Sequence, residues 1–314
     1  SDTEQSVKRE RYRINKHRKR IRRVHVPFNA LTDKAYIHGL EGTTLKDGKI
    51  TCAVARPVHK PEIRANVKAQ EAIAKEWNRL RAIKTWDENN PKEYDDIQAD
   101  IKRHPRKVHF GAVFNICVQK GAELEDGDPN KKYKGRTVFQ GNRVWDENKD
   151  VAIFNELSSC PSTMEAGKTV ALIGLMKGYK VLQADAQQAY TQSEFKGTET
   201  WVLIPVETWR EWYPDPNDWR HKMRKPCCRL LLSLYGHPDS GGYWEQHCEK
   251  HLYDIGFESV DFGDAWKSCY YHPRLRAYLV VYVDDFMMAC PEENSREAWE
   301  LLRLPGKNTP GIDM

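Results

Sequence analysis

Apolar positions change period several times along this chain, and each change marks an element. From Ala65 to Lys84 the residues Ala69, Ile73, Trp77, Leu80 and Ile83 recur at three- and four-residue steps, the spacing of one helix face. A polar stretch rich in Asp and Lys follows. Ala112 to Val118 then predicts a strand, Gly121 to Asn130 a loop and Arg136 to Gln140 a returning strand. Glu165 to Lys177 predicts a helix that Gly178 ends, and Tyr179 to Asp185 a strand that stops at a carboxylate. Further strands are expected at Thr200–Ile204, Arg229–Leu234, Ser268–His272 and Tyr278–Val283, with helices at Ser240–Tyr253 and Asn294–Leu302. Helices interleaved with strands that are largely hairpin-connected predict an α+β fold, an antiparallel sheet with helices on one face.

The pattern is sharpest between Arg276 and Cys290. Two apolar runs, the first rich in β-branched and aromatic residues, flank the adjacent carboxylates Asp284 and Asp285, which predicts a hairpin with the acidic pair at its turn. Two such groups repel each other unless a cation neutralises them, so a divalent-metal site is one expectation, and an ordinary acidic turn is the other. On the sheet predicted above, Asp185 at its strand end could lie beside them in the neighbouring hairpin, and carboxylates converging there could hold two magnesium ions.

Upstream, Val24 to Pro61 has no period, broken by Pro27, Gly39, Gly42, Gly48 and Pro57. Residues 1–61 are therefore expected to be a basic arm and irregular linker, or the remnant of an upstream domain, with the folded core at residues 62–314. Between Ser1 and Arg23 stand ten basic residues against three acidic ones, a local charge of +7 where the whole chain carries +5, so the remainder is slightly negative. Attraction by charge is thus concentrated in the arm. It suits a nucleic-acid contact, a nuclear-import signal or a merely solvated segment.

No run of 18 uncharged apolar residues occurs and no apolar segment follows the basic N-terminus, so neither a membrane span nor a signal peptide is expected. The eight cysteines are scattered without a Cys-x-x-Cys pair, as in reduced, mostly buried thiols, and the protein is expected to be intracellular. His221, Cys227, Cys228, His247 and Cys248 have a spacing that fits no zinc-ligand pattern.

Several motifs together carry a resemblance. Tyr282-Val283-Asp284-Asp285 resembles the Tyr-x-Asp-Asp signature of reverse transcriptases, and Gln183-Ala184-Asp185 through Ala189-Tyr190 resembles the preceding aspartate motif of copia-type retrotransposon enzymes. Arg229-Leu230 through Leu234-Tyr235-Gly236, with Trp244, is similar to the Leu-Tyr-Gly and Trp block of that family. Lys134-Gly135-Arg136, with Val138 and Gly141, is similar to its Lys-Ala-Arg-Leu-Val-x-x-Gly block. The likeness runs from about Trp77 to Arg303, and the blocks follow the family's order.

The resemblance implies a polymerase fingers and palm, and an RNA-directed DNA polymerase activity using magnesium, with manganese as the alternative ion. Asp185, Asp284 and Asp285 would be the catalytic, metal-holding carboxylates. Tyr190 matches the position whose ring excludes a ribonucleotide 2′-hydroxyl, and Lys134 and Arg136 match residues that meet the triphosphate. Implied partners are an RNA template, a DNA primer and deoxynucleoside triphosphates, in a cytoplasmic particle or the nucleus; the oligomeric state is not implied. Two departures stand out. His237-Pro238-Asp239-Ser240-Gly241-Gly242 replaces the family's Leu-Lys-Gln-Ala-Pro-Arg, and the chain ends at Met314, so the thumb is expected to be missing or incomplete. A truncated, catalytically inert relic that binds nucleic acid is the other expectation.

Overall fold

The structure, a computed structural model, describes residues 44–46, 49–51, 55–154, 162–260 and 266–314. The basic arm lies outside those residues, as does most of the stretch expected to be irregular. In chain order the elements are β1 (Thr44–Lys46), β2 (Lys49–Thr51), β3 (Ala55–Pro57), α1 (Lys60–Ala65), α2 (Val67–Ala82), β4 (Lys92–Glu93) and α3 (Tyr94–Arg103). Then come β5 (His109–Lys120), β6 (Lys132–Trp145), α4 (Met164–Gly174), β7 (Tyr179–Asp185), a 3-10 turn (Ala189–Gln192), β8 (Thr200–Leu203), α5 (Val206–Trp212) and β9 (Pro226–Arg229). The last are α6 (Ser240–Asp254), β10 (Glu258–Ser259), β11 (Cys269–His272), β12 (Ala277–Tyr282), β13 (Asp285–Pro291) and α7 (Ser295–Arg303).

The chain divides into two compact units. The first comprises the described residues of 1–59 and Val118–Lys134. Within it β1 and β2 pair antiparallel, and β3 pairs with the last three residues of β5.

The second unit, Lys60–Cys117 with Gly135–Met314, holds the elements that matter for function. One sheet of this unit sets the first part of β5 parallel to β8, followed by β9 and β4. The core against this sheet gathers Trp77, Leu80, Trp86, Phe139, Val202 and Trp209. Asn66 starts α2 by accepting the backbone N–H of Ala69 at its side chain, satisfying one of the donors a helix start leaves open.

The other sheet runs β10-β11-β12-β13-β7, antiparallel throughout. Its faces follow from the alternation of β12. Leu279 and Val281 point into a core with Trp244, Cys248 and Leu252 of α6 and Ala298 and Leu302 of α7. Tyr278 and Val280 point the other way, onto Ala166 and Val170 of α4. The expectation of helices on one face is corrected: this sheet is covered on both, which is why β12 reads as an unbroken apolar run rather than an alternation.

Three local expectations also change. The strand expected at Arg229–Leu234 is Pro226–Arg229 instead. Beyond it, Leu230 donates its N–H to Thr200 O, the next pair in the β8–β9 register, and the ladder then stops, since Leu231 and Leu232 both donate to Thr85 O in the segment after α2. The polar stretch after α2 contains α3, which buries only Ile97 and Ile101. α5 was not expected; it buries Trp209 alone.

Candidate active site

The turn between β12 and β13 is two residues long. Tyr282 pairs with Asp285, so Val283 and Asp284 form the loop and Asp285 is the first residue of its strand. Val283 has φ 57°, the left-handed value that a tight hairpin asks of its first loop residue and that glycine normally supplies. For a β-branched residue this conformation is strained. Two hydrogen bonds hold it: the indole N–H of Trp244 donates to Val283 O at 2.6 Å, and the backbone N–H of Ala186 donates to Asp284 O at 2.7 Å.

The strand register brings the acidic residues together. Asp285 lies directly opposite Asp185 across the β13–β7 pair, with Asp284 one residue before it. The Asp285 carboxyl is raised above its usual range, first by the chain that partly covers it and then by the negative charges of Asp284 and Asp185. Carboxylates that load one another with charge form a hard, anionic oxygen donor set, the kind a divalent cation such as magnesium prefers. As placed, the side chains do not close round one point. Among the described residues no group of three or more His, Cys, Asp or Glu side chains is arranged to hold a metal ion. The donor chemistry fits such an ion, and the arrangement is open.

Beside the acidic group stands an aromatic stack. The rings of Tyr190 and Tyr235 lie 4.3 Å apart between centroids, and the Arg136 guanidinium sits 5.3 Å from the Tyr235 ring. Burial raises both phenols, and the charge of Asp284 raises each further; Tyr235 is pushed up to about 12, with Arg136 opposing. Two sequence blocks meet behind this stack. Phe139 donates its N–H to Tyr235 O at 2.7 Å, and Gly236, at φ 90°, approaches Phe139 and Gly141 so closely that a Cβ on either glycine would overlap backbone. Lys134 belongs to the first unit, on β6.

The segment that departs from the resembled family turns inward. His237 is buried among Phe139, Phe154 and Phe195, at ring separations of 4.9, 5.3 and 4.8 Å. Its Nδ1 accepts the Asp239 N–H, and burial lowers its pKa to about 3.

Sequence reasoning missed one residue outright. The Gln192 side-chain amide donates to Gln187 O at 2.8 Å and to Asp313 O at 2.9 Å, and its oxygen accepts the Asp313 N–H at 2.9 Å. Gln187 also donates its backbone N–H to Asp313 O. Residues near the C-terminus thus brace the loop joining Asp185 to Tyr190, an arrangement that no local pattern announces.

With this geometry in view, the chain can be set beside known proteins. No family model matches it. It is similar to Gag-Pol polyproteins of Saccharomyces cerevisiae (strain ATCC 204508 / S288c). The Transposon Ty1-OR Gag-Pol polyprotein is 24% identical over 240 residues, and the Transposon Ty1-MR1 Gag-Pol polyprotein 25% identical over 240 residues. Each match covers 76% of this chain and 12% of the relative, so the chain spans about an eighth of the length of those proteins. Among solved structures, telomerase from Candida albicans in complex with a fragment of telomeric RNA matches with a TM-score of 0.31 and 10% identity, covering 73% of this chain and 43% of that one.

Proposed function

We propose that this chain is the nucleotidyl-transferring core of a copia-type retroelement, an RNA-directed DNA polymerase that extends a primer 3′-hydroxyl with deoxynucleotides. The observation that carries the reading is the register that sets Asp285 opposite Asp185 while a pinned two-residue turn holds Asp284 beside them. Similarity to the Ty1 Gag-Pol polyproteins supports a retroelement origin.

In this reading Asp185, Asp284 and Asp285 hold two magnesium ions, or manganese in their place. When bound, these ions supply activation of the attacking hydroxyl and neutralisation of the leaving pyrophosphate. The chain's own part is positioning. Trp244 and Ala186 fix the backbone of the acidic turn. Tyr190, leaning on Tyr235, forms a wall under the sugar that disfavours a 2′-hydroxyl, and Arg136 supplies positive charge for a triphosphate. The partners are then an RNA template, a DNA primer and deoxynucleoside triphosphates, and the setting is intracellular, a cytoplasmic particle or the nucleus. Among the described residues no helix is long and apolar enough to cross a membrane.

A second reading, an inert chain that binds nucleic acid, draws on the open arrangement of the carboxylates. Primer extension on a polyribonucleotide template with magnesium separates the two. Extension by the parent that disappears in Asp284→Asn, with the fold intact, is the expected result. Equal extension by both would remove the metal assignment, and no extension by a folded parent would favour the inert reading.

A further inference from the structure

A second candidate site lies on the other sheet's side of this unit, away from the acidic hairpin's own strands. An open trough of about 700 Å³ runs between the end of α3 and the turn that follows β6, lined by Gln98, Lys102, Arg106, Lys107, Asn148 and Lys149 among others. Its cations differ in their freedom. Arg106 is spoken for, 2.9 Å from Asp100 and 3.3 Å from Glu199. Lys102, Lys107 and Lys149 are exposed, and among the described residues none has an ion-pair partner. The one carboxylate in the lining, Glu147, accepts the backbone N–H of Val108.

The trough is also firmly built. Asp146 Oδ1 accepts the N–H groups of Asn148 and Asp150, which fixes the turn and holds Lys149 at φ 70°. The amide nitrogen of Gln98 is buried there without a hydrogen-bond partner among the described residues. Unpaired ammonium groups around an open concavity, with amides beside them, make a receptor for phosphate oxygens. We propose that this trough binds the phosphodiester backbone of a polynucleotide, a contact separate from the proposed catalytic centre.

A polynucleotide suits the lining better than an acidic protein. Only Ile101 and Pro105 are apolar, so the aromatic anchors on which protein interfaces depend are missing. The three lysines are sequence-blind point charges, so the contact should track salt and not base sequence.

The test compares the full chain with the triple variant Lys102→Gln, Lys107→Gln, Lys149→Gln. Its control neutralises three exposed lysines elsewhere, Lys168→Gln, Lys177→Gln, Lys250→Gln. Binding of a fluorescein-labelled single-stranded RNA is read by anisotropy across a salt series, without magnesium or nucleotides. Polymerase activity therefore plays no part, and failure of the catalytic reading leaves the result untouched. The expected result is about a tenfold or greater loss of affinity in the trough variant and a salt dependence shallower by about 2, from three lost phosphate contacts, with a much smaller change in the control. An equal loss in both variants would reduce the trough to general surface charge, and no loss in either would remove the site. If a polyglutamate peptide lost binding in the trough variant while RNA did not, an acidic protein would replace the polynucleotide. Competition by inorganic phosphate as strong, per phosphate, as by RNA would assign the trough to a free anion instead.

Discussion

The indole N–H of Trp244, on α6, donates to the carbonyl oxygen of Val283 at 2.6 Å, across the core that separates helix from hairpin. The bond clamps the one β-branched residue that, among the described residues, adopts a positive φ. Strain at the turn and the clamp that holds it are therefore two sides of one device, which aims the loop carrying Asp284.

If so, substitutions at the two positions should couple. Trp244→Phe keeps most of the ring but removes the donor, and should cost about 1–3 kcal/mol in urea unfolding, part of it from the unpaired carbonyl. Val283→Gly relieves the left-handed strain and should be nearly neutral, because relief offsets the greater freedom of the unfolded chain. In the Val283→Gly background the cost of Trp244→Phe should shrink by about 1 kcal/mol, because the turn then holds its shape unaided. Strict additivity of the two would argue against the clamp.

The acidic group predicts a pH signature. The Asp285 carboxyl is raised in the folded chain above its ordinary value of 3.8, so the folded state binds that proton more readily than the unfolded one. Its destabilising effect is absent below the ordinary value and grows as pH rises through the raised one. Asp285→Asn should accordingly melt higher than the parent at neutral pH, by no more than about 1 kcal/mol because water screens so open a group, and the gain should vanish in acid. Magnesium should raise the melting temperature of the parent more than that of the variant. A variant with the same advantage at every pH would point to packing instead of charge.

Local pattern was enough for much of this geometry and silent on the rest. β7 runs Tyr179–Asp185 as its apolar residues and terminal carboxylate suggest, and α6 and α7 lie within a residue of their expected bounds. Signals for α3 were thin: Ile97 and Ile101 stand four apart, between Asp95 and Asp96 at its start and Lys102 and Arg103 at its end, charges that suit the helix dipole. They become readable only once the polar stretch is tested at a helical period. Two-sided burial of β12 could be inferred from its unbroken apolar run, but which helix covers which face is a long-range matter. The same holds at the site. The adjacency of Asp284 and Asp285 is local, whereas the supports at Trp244, Tyr235 and Gln192 come from distant segments.

His237 predicts acid sensitivity of a different origin. It titrates near 6.5 when unfolded and at about 3 in its aromatic enclosure, so its neutral form is held by the fold. Stability from this source is complete above 6.5 and is lost as pH falls toward 3, by about 1.4 kcal/mol for each pH unit. His237→Phe will have its own packing cost, since the Asp239 N–H loses its acceptor. The diagnostic quantity is therefore the slope of stability between pH 6 and pH 4, which should flatten by about one proton in the variant. An unchanged slope would mean that another group carries the acid response.

Gln192 offers the most direct link between the C-terminal residues and the proposed nucleotide wall. Its amide joins Asp313 to Gln187, within the loop that connects Asp185 to Tyr190, and Ile312 anchors the same segment in the core. Gln192→Ala removes three hydrogen bonds at a half-buried position, so the loss of stability should stay near 1–2 kcal/mol. Its effect on Tyr190 should be larger in kind. With the loop unbraced, the ring loses its fixed place against Tyr235, and the wall that disfavours a 2′-hydroxyl becomes less definite. In primer extension the ratio of kcat/KM for deoxynucleotide over ribonucleotide should fall several-fold in Gln192→Ala and further in Tyr190→Val, with the double variant no worse than Tyr190→Val alone. Equal losses for both nucleotides in Gln192→Ala would make the brace a matter of stability only. A ratio that Tyr190→Val leaves unchanged would remove the wall itself.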